Sequence, residues 1–468
     1  MWQSFFASLD SIEGLIWSYF GFPAILAVGL YLSYKLRFVQ LRNFPQVMKT
    51  FFSFLLNSDK EVSKQAKANV GVHPLKVFFA CVGGCVGIGN IVGITTAVQL
   101  GGPGAIFWVW VIAIIGSLVK YSEVYLGMLH REKTETGYRG GPMYFLKKAF
   151  SGKTASWMSK FFCVLMCIYG VEIYQFSVMT SSVAANFELP KLYVVLFFLA
   201  LVLIAERGGL KRIGTICSAV IPLFIILYLS MGMYVLVACA PAIPQVIADI
   251  FHYAFTPHAA VGAFAGSSLM LAISQGIKRA CYSCDVGVGY ASIVHSESSV
   301  QNPTRQASLT IFEVFLDIFV ICTMSVVVVL VTGTWTENID AMYLVQSALG
   351  KYFPYMNFFI PFFLVLLGYS TIITYFSSGM KTAAFLSPKY GRHLYYAYSI
   401  SALFLFSFFD TTQANTVMSC ILVMLLAVNL LAILRLRHQV QFDVEPKSAI
   451  SQTEGLRVNS EPTVILAE

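Results

Sequence analysis

The chain has 468 residues, 57% of them hydrophobic and only 12% charged, about half the charged fraction of an ordinary soluble domain. Apolar runs of about 20 residues recur along it, each long enough to cross a bilayer's hydrocarbon core as a helix. That makes an all-α integral membrane protein and excludes a soluble enzyme, and the net charge of +8 is better explained by topology than by a nucleic-acid partner.

Eleven spanning helices are predicted, near 14–34, 76–98, 103–128, 157–184, 190–205, 213–239, 259–277, 307–332, 355–380, 393–408 and 413–434. Amphipathic surface pieces are expected at 40–56, 141–150 and 242–254. Residues 1–12 carry no basic stretch ahead of an apolar core, so no cleavable signal peptide is read there. With the N-terminus outside, 28 of the 31 lysines and arginines fall in cytoplasmic segments, as the positive-inside rule requires. The residues from 435 to 468 then form a cytoplasmic tail of disordered composition. Cys281 and Cys284 make one CxxC, which without a second pair is weak support for zinc. No Walker loop, HExxH or GxSxG motif occurs, and the seven histidines fall at span ends or in loops, so neither ATP hydrolysis nor an intramembrane enzyme has support. A passive channel would need a repeated filter or a line of pore carboxylates, and neither is visible.

Two spans carry unusual glycine. The second reads FFACVGGCVGIGNIVGITTAV, with Gly83, Gly84, Gly87, Gly89 and Gly93 ahead of or beyond Asn90. Small residues at spacing four let helices pack closely. Four glycines within seven residues point further, to an unwound segment whose backbone groups line a cavity. The seventh span is expected to break at Ser274, Gln275 and Gly276, with Gly287 and Gly289 following. Interrupted helices at corresponding places in two halves are the sequence sign of a transporter built from inverted repeats. Half-helix N-termini then suit a substrate carboxylate and freed carbonyls a cation.

At these residues the chain resembles the alanine/glycine:cation symporters, also called the sodium:alanine symporter family. The resemblance runs over about residues 35 to 430. It rests on GIGNIVGITTAVQLGGPGAIFWVW, KYSEVYLG, YRGGPMYFL, GIKRACYSCDVGVGYASIVHS and PTRQASLTIFEVFLDIFVICT in that order. It implies a leucine-transporter-type fold: one extra helix (1–40), a first five-helix repeat (41–240) and an inverted second repeat (241–434). It also implies a carrier in a prokaryotic cytoplasmic membrane, functional as a monomer, with no cofactor and no nucleic-acid partner. The carrier would take up a small neutral amino acid with sodium, or with a proton in some members. The implied substrate residues are Gly87, Gly89, Asn90, Gln175, Thr371 and Tyr375, to which the expected second break adds Ser274 and Gly276. The implied cation site is built from Val82, Gly83, Gly84, Ser370 and Thr371. The chain departs from the family where YSCDVG replaces FSNEAG, where Tyr375 replaces tryptophan, and where Phe176 and Ser177 follow Gln175.

Charges inside spans are functional candidates by default. Lys120 and Glu123 lie three residues apart, so the spacing predicts a pair on one helix face. Glu172 precedes Gln175 by three residues and is read as a proton or cation site or a satisfied carboxylate. Asp317, amid bulky apolar residues, is read as a buried hydrogen-bonding group with a coupling role as the alternative. Arg139 lies in a loop before Gly-Gly-Pro, and an inner gate or a plain surface charge are the two readings.

Overall fold

The computed structural model describes residues 2–56, 71–135, 137–256 and 269–442. In chain order the helices are α1 (Trp2–Ile16), α2 (Phe22–Lys35), α3 (Val39–Arg42), α4 (Phe44–Leu55), α5 (Pro74–Cys85), α6 (Val92–Gly101) and α7 (Ala105–Leu129). A hairpin of β1 (Glu132–Thr134) and β2 (Gly137–Arg139) follows. Next come α8 (Pro142–Ala149), α9 (Gly152–Tyr169), α10 (Ile173–Asn186), α11 (Lys191–Glu206), α12 (Gly209–Ala238) and α13 (Ile243–Tyr253). The rest are α14 (Leu269–Cys284), α15 (Tyr290–His295), α16 (Pro303–Val314), α17 (Thr323–Val331), α18 (Leu344–Gly350), α19 (Met356–Leu386), α20 (Gly391–Phe406) and α21 (Thr411–Arg435).

Among the described residues, seven helices are long and apolar enough to cross a membrane, or eight if α5 and α6, bent by 58°, make one broken span. These coincide with eight of the eleven predicted spans. Two of the others are α11 and α20, of 16 residues each. They rise only about 24 Å, short of a hydrocarbon core of about 30 Å. The last, 259–277, begins outside the described residues.

Two long helices organise the interior. α7 is packed by α2, α14, α15 and α16, and α19 by α5, α9, α10, α12 and α20. The first break matches expectation. α5 ends at Cys85, Val86 and Gly87 are extended, and a 3-10 turn, Ile88–Asn90, leads into α6.

The second break does not fall where the sequence reading put it. α14 runs unbroken through Ser274, Gln275 and Gly276. At Gly276 the missing side chain serves packing: a Cβ there would stand 2.4 Å from the Ala105 carbonyl oxygen. The chain leaves the helix instead at Asp285, Gly287 and Gly289, all with positive φ, a conformation open to glycine at little cost and to aspartate at some. The correction moves Lys278 and Arg279 from an expected cytoplasmic segment onto a helix ahead of the break. There Lys278 pairs with Glu13 of α1 at 2.6 Å, and Arg279 lies over the Tyr282 ring.

Two further irregularities were not expected. The third core span breaks between α9 and α10, with Glu172 left-handed at φ 54°. A π-helical stretch, Phe315–Cys322, joins α16 to α17 and carries Asp317; such stretches frequently mark functional sites. At the C-terminal end the chain after Arg435 turns back on α7, burying Val440 and placing the Gln441 carbonyl on the Tyr121 hydroxyl. The expected tail from residue 443 on lies outside the described residues.

Candidate functional site

The first break leaves backbone N–H groups that α5 and α6 cannot satisfy, and side chains take them up. The Gly87 N–H donates to Asn90 Oδ1 at 3.0 Å, and the Ile88 N–H to Gln175 Oε1 at 2.9 Å. Thr371 of α19 donates to the Gly83 carbonyl at 3.0 Å. A Cβ on Gly87 would stand 2.7 Å from Thr371 Oγ1 and 2.8 Å from Gln175 Nε2. Four of the implied substrate residues, Gly87, Asn90, Gln175 and Thr371, therefore meet at one place. Gly89 is roomier, with the Tyr282 ring 3.6 Å from its Cβ position. Gly276 lies in the α14–α7 contact, and the Ser274 side chain lies outside the described residues.

The second break supplies the opposite wall. The Tyr375 hydroxyl donates to Asp285 Oδ1, and the Tyr290 ring stacks on Tyr375 with centroids 4.0 Å apart. Tyr169 meets Tyr375 edge-on at 5.4 Å. Glu172, buried beside this group, accepts a long 3.3 Å bond from the Tyr282 hydroxyl.

The residues implied for a cation also adjoin. Gly83 faces Ser370, whose Cβ is 3.4 Å from the Cβ position of the glycine. The Thr371 hydroxyl reaches the Gly83 carbonyl, while Ser370 Oγ donates within its own helix to Leu367 at 2.8 Å. The Val82 carbonyl is taken by Val86 N–H at 2.7 Å, and Gly84 is covered by the Tyr290 hydroxyl. Gly83 and Thr371 thus bring oxygens together, Ser370 packs on Gly83 beside Cys217, and Val82 and Gly84 flank them.

The charged residues are arranged differently from the sequence reading. Lys120 does not pair with Glu123. Its ammonium reaches Glu313 of α16 at 3.3 Å and Cys85 at 3.0 Å. Glu313 continues to His295 at 2.8 Å, and His295 to Gln306 at 2.8 Å. Cys81, His295 and Glu313 offer ligand atoms within 4.8 Å of one another, but the Lys120 ammonium already supplies the positive charge there. Glu123 instead accepts the Gly289 N–H at 3.0 Å and the Asn429 amide at 2.6 Å, closing the start of α15. Tertiary packing turned the pair apart because the neighbours of Lys120 and Glu123 come from different helices. Asp317 accepts from Asn90 and, at 3.0 Å, from Cys284, so it joins both breaks. Sequence reasoning missed Glu313 and His295. Glu313 carried the same signal that marked Asp317, a charge within a predicted span.

At one end of the bundle a cavity of about 690 Å³ is lined by Arg139, Lys147, Glu206, Glu297, Lys381 and Arg392, among others. Lys381 of α19 pairs across it with Glu297, just past α15, at 2.5 Å. Burial pushes the Glu206 carboxyl up to about 7 against the pull of Lys381. Arg131 holds the segment carrying Glu297, donating to the carbonyls of Ser296, Ser298 and Val300 at 3.1, 2.7 and 2.7 Å. Arg139, exposed at the end of β2 as the surface reading has it, also lines the cavity.

Residues 2–447 match the sodium:alanine symporter family. The chain belongs to that family. It is 30% identical over 446 residues to the Bacillus subtilis uncharacterized transporter YflA, covering 92% of this chain and 91% of the relative. It is 29% identical to the probable sodium/glutamine symporter GlnT of the same organism (83% and 79% covered). The sodium/alanine symporter AgcS of Methanococcus maripaludis is 28% identical (84% and 86% covered). Among solved structures the fold resembles that of MHP1, a nucleobase-cation-symport-1 family transporter in a closed conformation. That match has a TM-score of 0.52 and 12% identity over 76% of this chain and 75% of that one.

A member of this family is an amino-acid:cation symporter, a multi-pass membrane transporter and not an enzyme. Within the family the chain's departures are not scattered. Asp285 and Tyr375 touch each other, Cys284 touches Asp317, and Phe176 is fully buried.

Proposed function

We propose that the protein carries a small neutral amino acid of alanine or glycine size inward with sodium, by alternating access. The carrying observation is the convergence of Gly87, Asn90, Gln175 and Thr371 on the first break. The Gln175 side-chain oxygen holds the Ile88 N–H, the kind of donor that a substrate carboxylate takes at an interrupted helix. An amino acid displaces that oxygen. Sodium bound by the Gly83 carbonyl and the hydroxyls of Ser370 and Thr371 draws α5 against α19 and raises affinity for the amino acid. Asp317, bonded to both breaks, couples their movement. The membrane potential adds about 2.3 kcal/mol per charge per 100 mV toward accumulation.

The same reading takes the chain as eleven spans, an N-terminal helix and five plus five inverted helices, with the N-terminus outside a prokaryotic cytoplasmic membrane. The 690 Å³ cavity is then the cytoplasmic vestibule. Relatives named as sodium/alanine and probable sodium/glutamine symporters support sodium and a neutral amino acid. The test is uptake of radiolabelled alanine into liposomes with and without an inward sodium gradient. Sodium-dependent uptake competed by glycine or serine is expected. Uptake driven only by a proton gradient overturns the choice of ion and turns attention to Glu172. No alanine uptake under either gradient overturns the choice of substrate.

A further inference from the structure

Asp285 is the first residue past α14, with φ 53°. Its carboxylate is 1% exposed. One oxygen accepts the Tyr375 hydroxyl, while Oδ2, equally buried, makes no well-formed hydrogen bond, with only the weak thiol donor of Cys85 beside the carboxylate. Among the described residues no lysine, arginine or histidine lies within ion-pair distance of it. The nearby ammonium of Lys120 is committed to Glu313 and Cys85. A buried carboxylate oxygen without a strong donor or a counter-ion is costly. Inside a membrane protein such a group calls for a ligand.

The geometry around it says which ligand. Thr371 and Tyr375 are four residues apart and share one face of α19. Thr371 reaches the first break at Gly83, and Tyr375 reaches the second at Asp285. The rise between them is about 6 Å. The first break offers a donor, the Ile88 N–H; the second offers an acceptor, Asp285 Oδ2. The C-terminal end of α14 is also the negative end of its dipole, which favours a cation there. Tyr169 and Tyr290, packed on Tyr375, hold that acceptor in place.

We propose that Asp285 binds the ammonium group of the substrate, so that the amino acid lies with its carboxylate toward Ile88 and its nitrogen on Asp285 Oδ2. The assignment rests on the amino-acid symport reading above. It makes a free, protonated amino group a condition of recognition. Hydroxy acids of the same size are rejected, because they leave Asp285 without a positive partner. Glu172, the second buried carboxylate beside this wall, keeps its Tyr282 bond and does not take the nitrogen.

The test compares L-alanine with L-lactate, which replaces the amino group by a hydroxyl, as competitors of radiolabelled alanine uptake in proteoliposomes. In the wild type lactate competes at least about 100-fold more weakly than alanine. In Asp285→Asn alanine weakens and the gap closes to about 10-fold or less, with half-saturation by sodium unchanged. A merely structural role for Asp285 weakens both competitors alike, and an unchanged ratio overturns the proposal. Tyr375→Phe gives a second reading should Asp285→Asn fail to reach the membrane. It removes one donor and keeps the carboxylate, so the preference for alanine over lactate stays at the wild-type level or rises. A fall to the level of about 10-fold overturns the proposal. Wild-type protein that transports no amino acid overturns the symport reading itself, a result distinct from an unchanged ratio in an active carrier.

Discussion

Tyr375 donates its hydroxyl to the Asp285 carboxylate, one helical turn from Thr371, whose hydroxyl is donated to the Gly83 carbonyl. Two interrupted helices far apart in sequence are thereby tied to one face of α19. Any movement that separates α5 from α14 must break one of these bonds or carry α19 along.

Alanine in place of Gln175, Thr371 or Asn90 should weaken substrate binding. Asn90 holds the Gly87 N–H, Thr371 holds the Gly83 carbonyl and the Gln175 amide packs on Gly87, so truncating any of them loosens the turn that presents the Ile88 N–H, at a cost of about 1–3 kcal/mol. Half-saturation for alanine should rise about 10-fold or more in uptake measured at equal membrane expression. Unchanged kinetics in all three variants would remove the pocket from consideration.

Gly87→Ala and Gly89→Ala should behave differently although the two glycines are neighbours. A methyl on Gly87 meets Thr371 Oγ1 at 2.7 Å and Gln175 Nε2 at 2.8 Å, whereas one on Gly89 meets only the Tyr282 ring at 3.6 Å. Overpacking costs about 1–3 kcal/mol, so Gly87→Ala should lose most uptake and Gly89→Ala should keep most of it. Equal activity in the two variants would contradict the close approach at Gly87.

Lys120→Met should destabilise the protein, by about 1–3 kcal/mol, since it takes the ammonium from Glu313 and leaves that buried carboxylate to His295 alone. Adding Glu313→Gln should recover much of that loss, because the pair is then removed as a unit. Thermal unfolding of the detergent-purified single and double variants measures the coupling. Additive losses would show that the two groups do not interact.

Transport should depend on cytoplasmic pH through Glu206, whose carboxyl is pushed up to about 7 by burial, with Lys381 pulling the other way. Glu297, Arg392 and Ser377 face the same carboxyl. Below that pH Glu206 is neutral and Lys381 belongs to Glu297 alone, which on the vestibule reading proposed above should favour the closed form. Above it a second carboxylate competes for Lys381 and loosens the closure. Release into the cytoplasm should rise about 2- to 5-fold between pH 6 and 8. Glu206→Gln should lie flat at the low-pH rate; a slope like that of the wild type would assign the titration elsewhere.

The first break was legible because its cause is local. Gly83, Gly84, Gly87 and Gly89 crowd one stretch, and Asn90 beside them caps Gly87 from within the same turn. The second was misplaced by about ten residues. Ser274 and Gly276 look like breakers in isolation, yet α14 uses Gly276 to approach Ala105. The interruption at Glu172 gave no signal, since a left-handed glutamate depends on what surrounds it.

The sequence by itself determined the membrane class, the position of most long spans, the first break and the family, because hydrophobic length, glycine density and motif order are properties of contiguous stretches. Only the tertiary structure decided the partners. Lys120 found Glu313 instead of Glu123, Glu123 closed the start of α15, and Asp285 met Tyr375 from 90 residues away. A charge buried in a bilayer must be satisfied by whichever group packing brings within about 3 Å, and that choice is made between helices, where no local pattern in the chain records it.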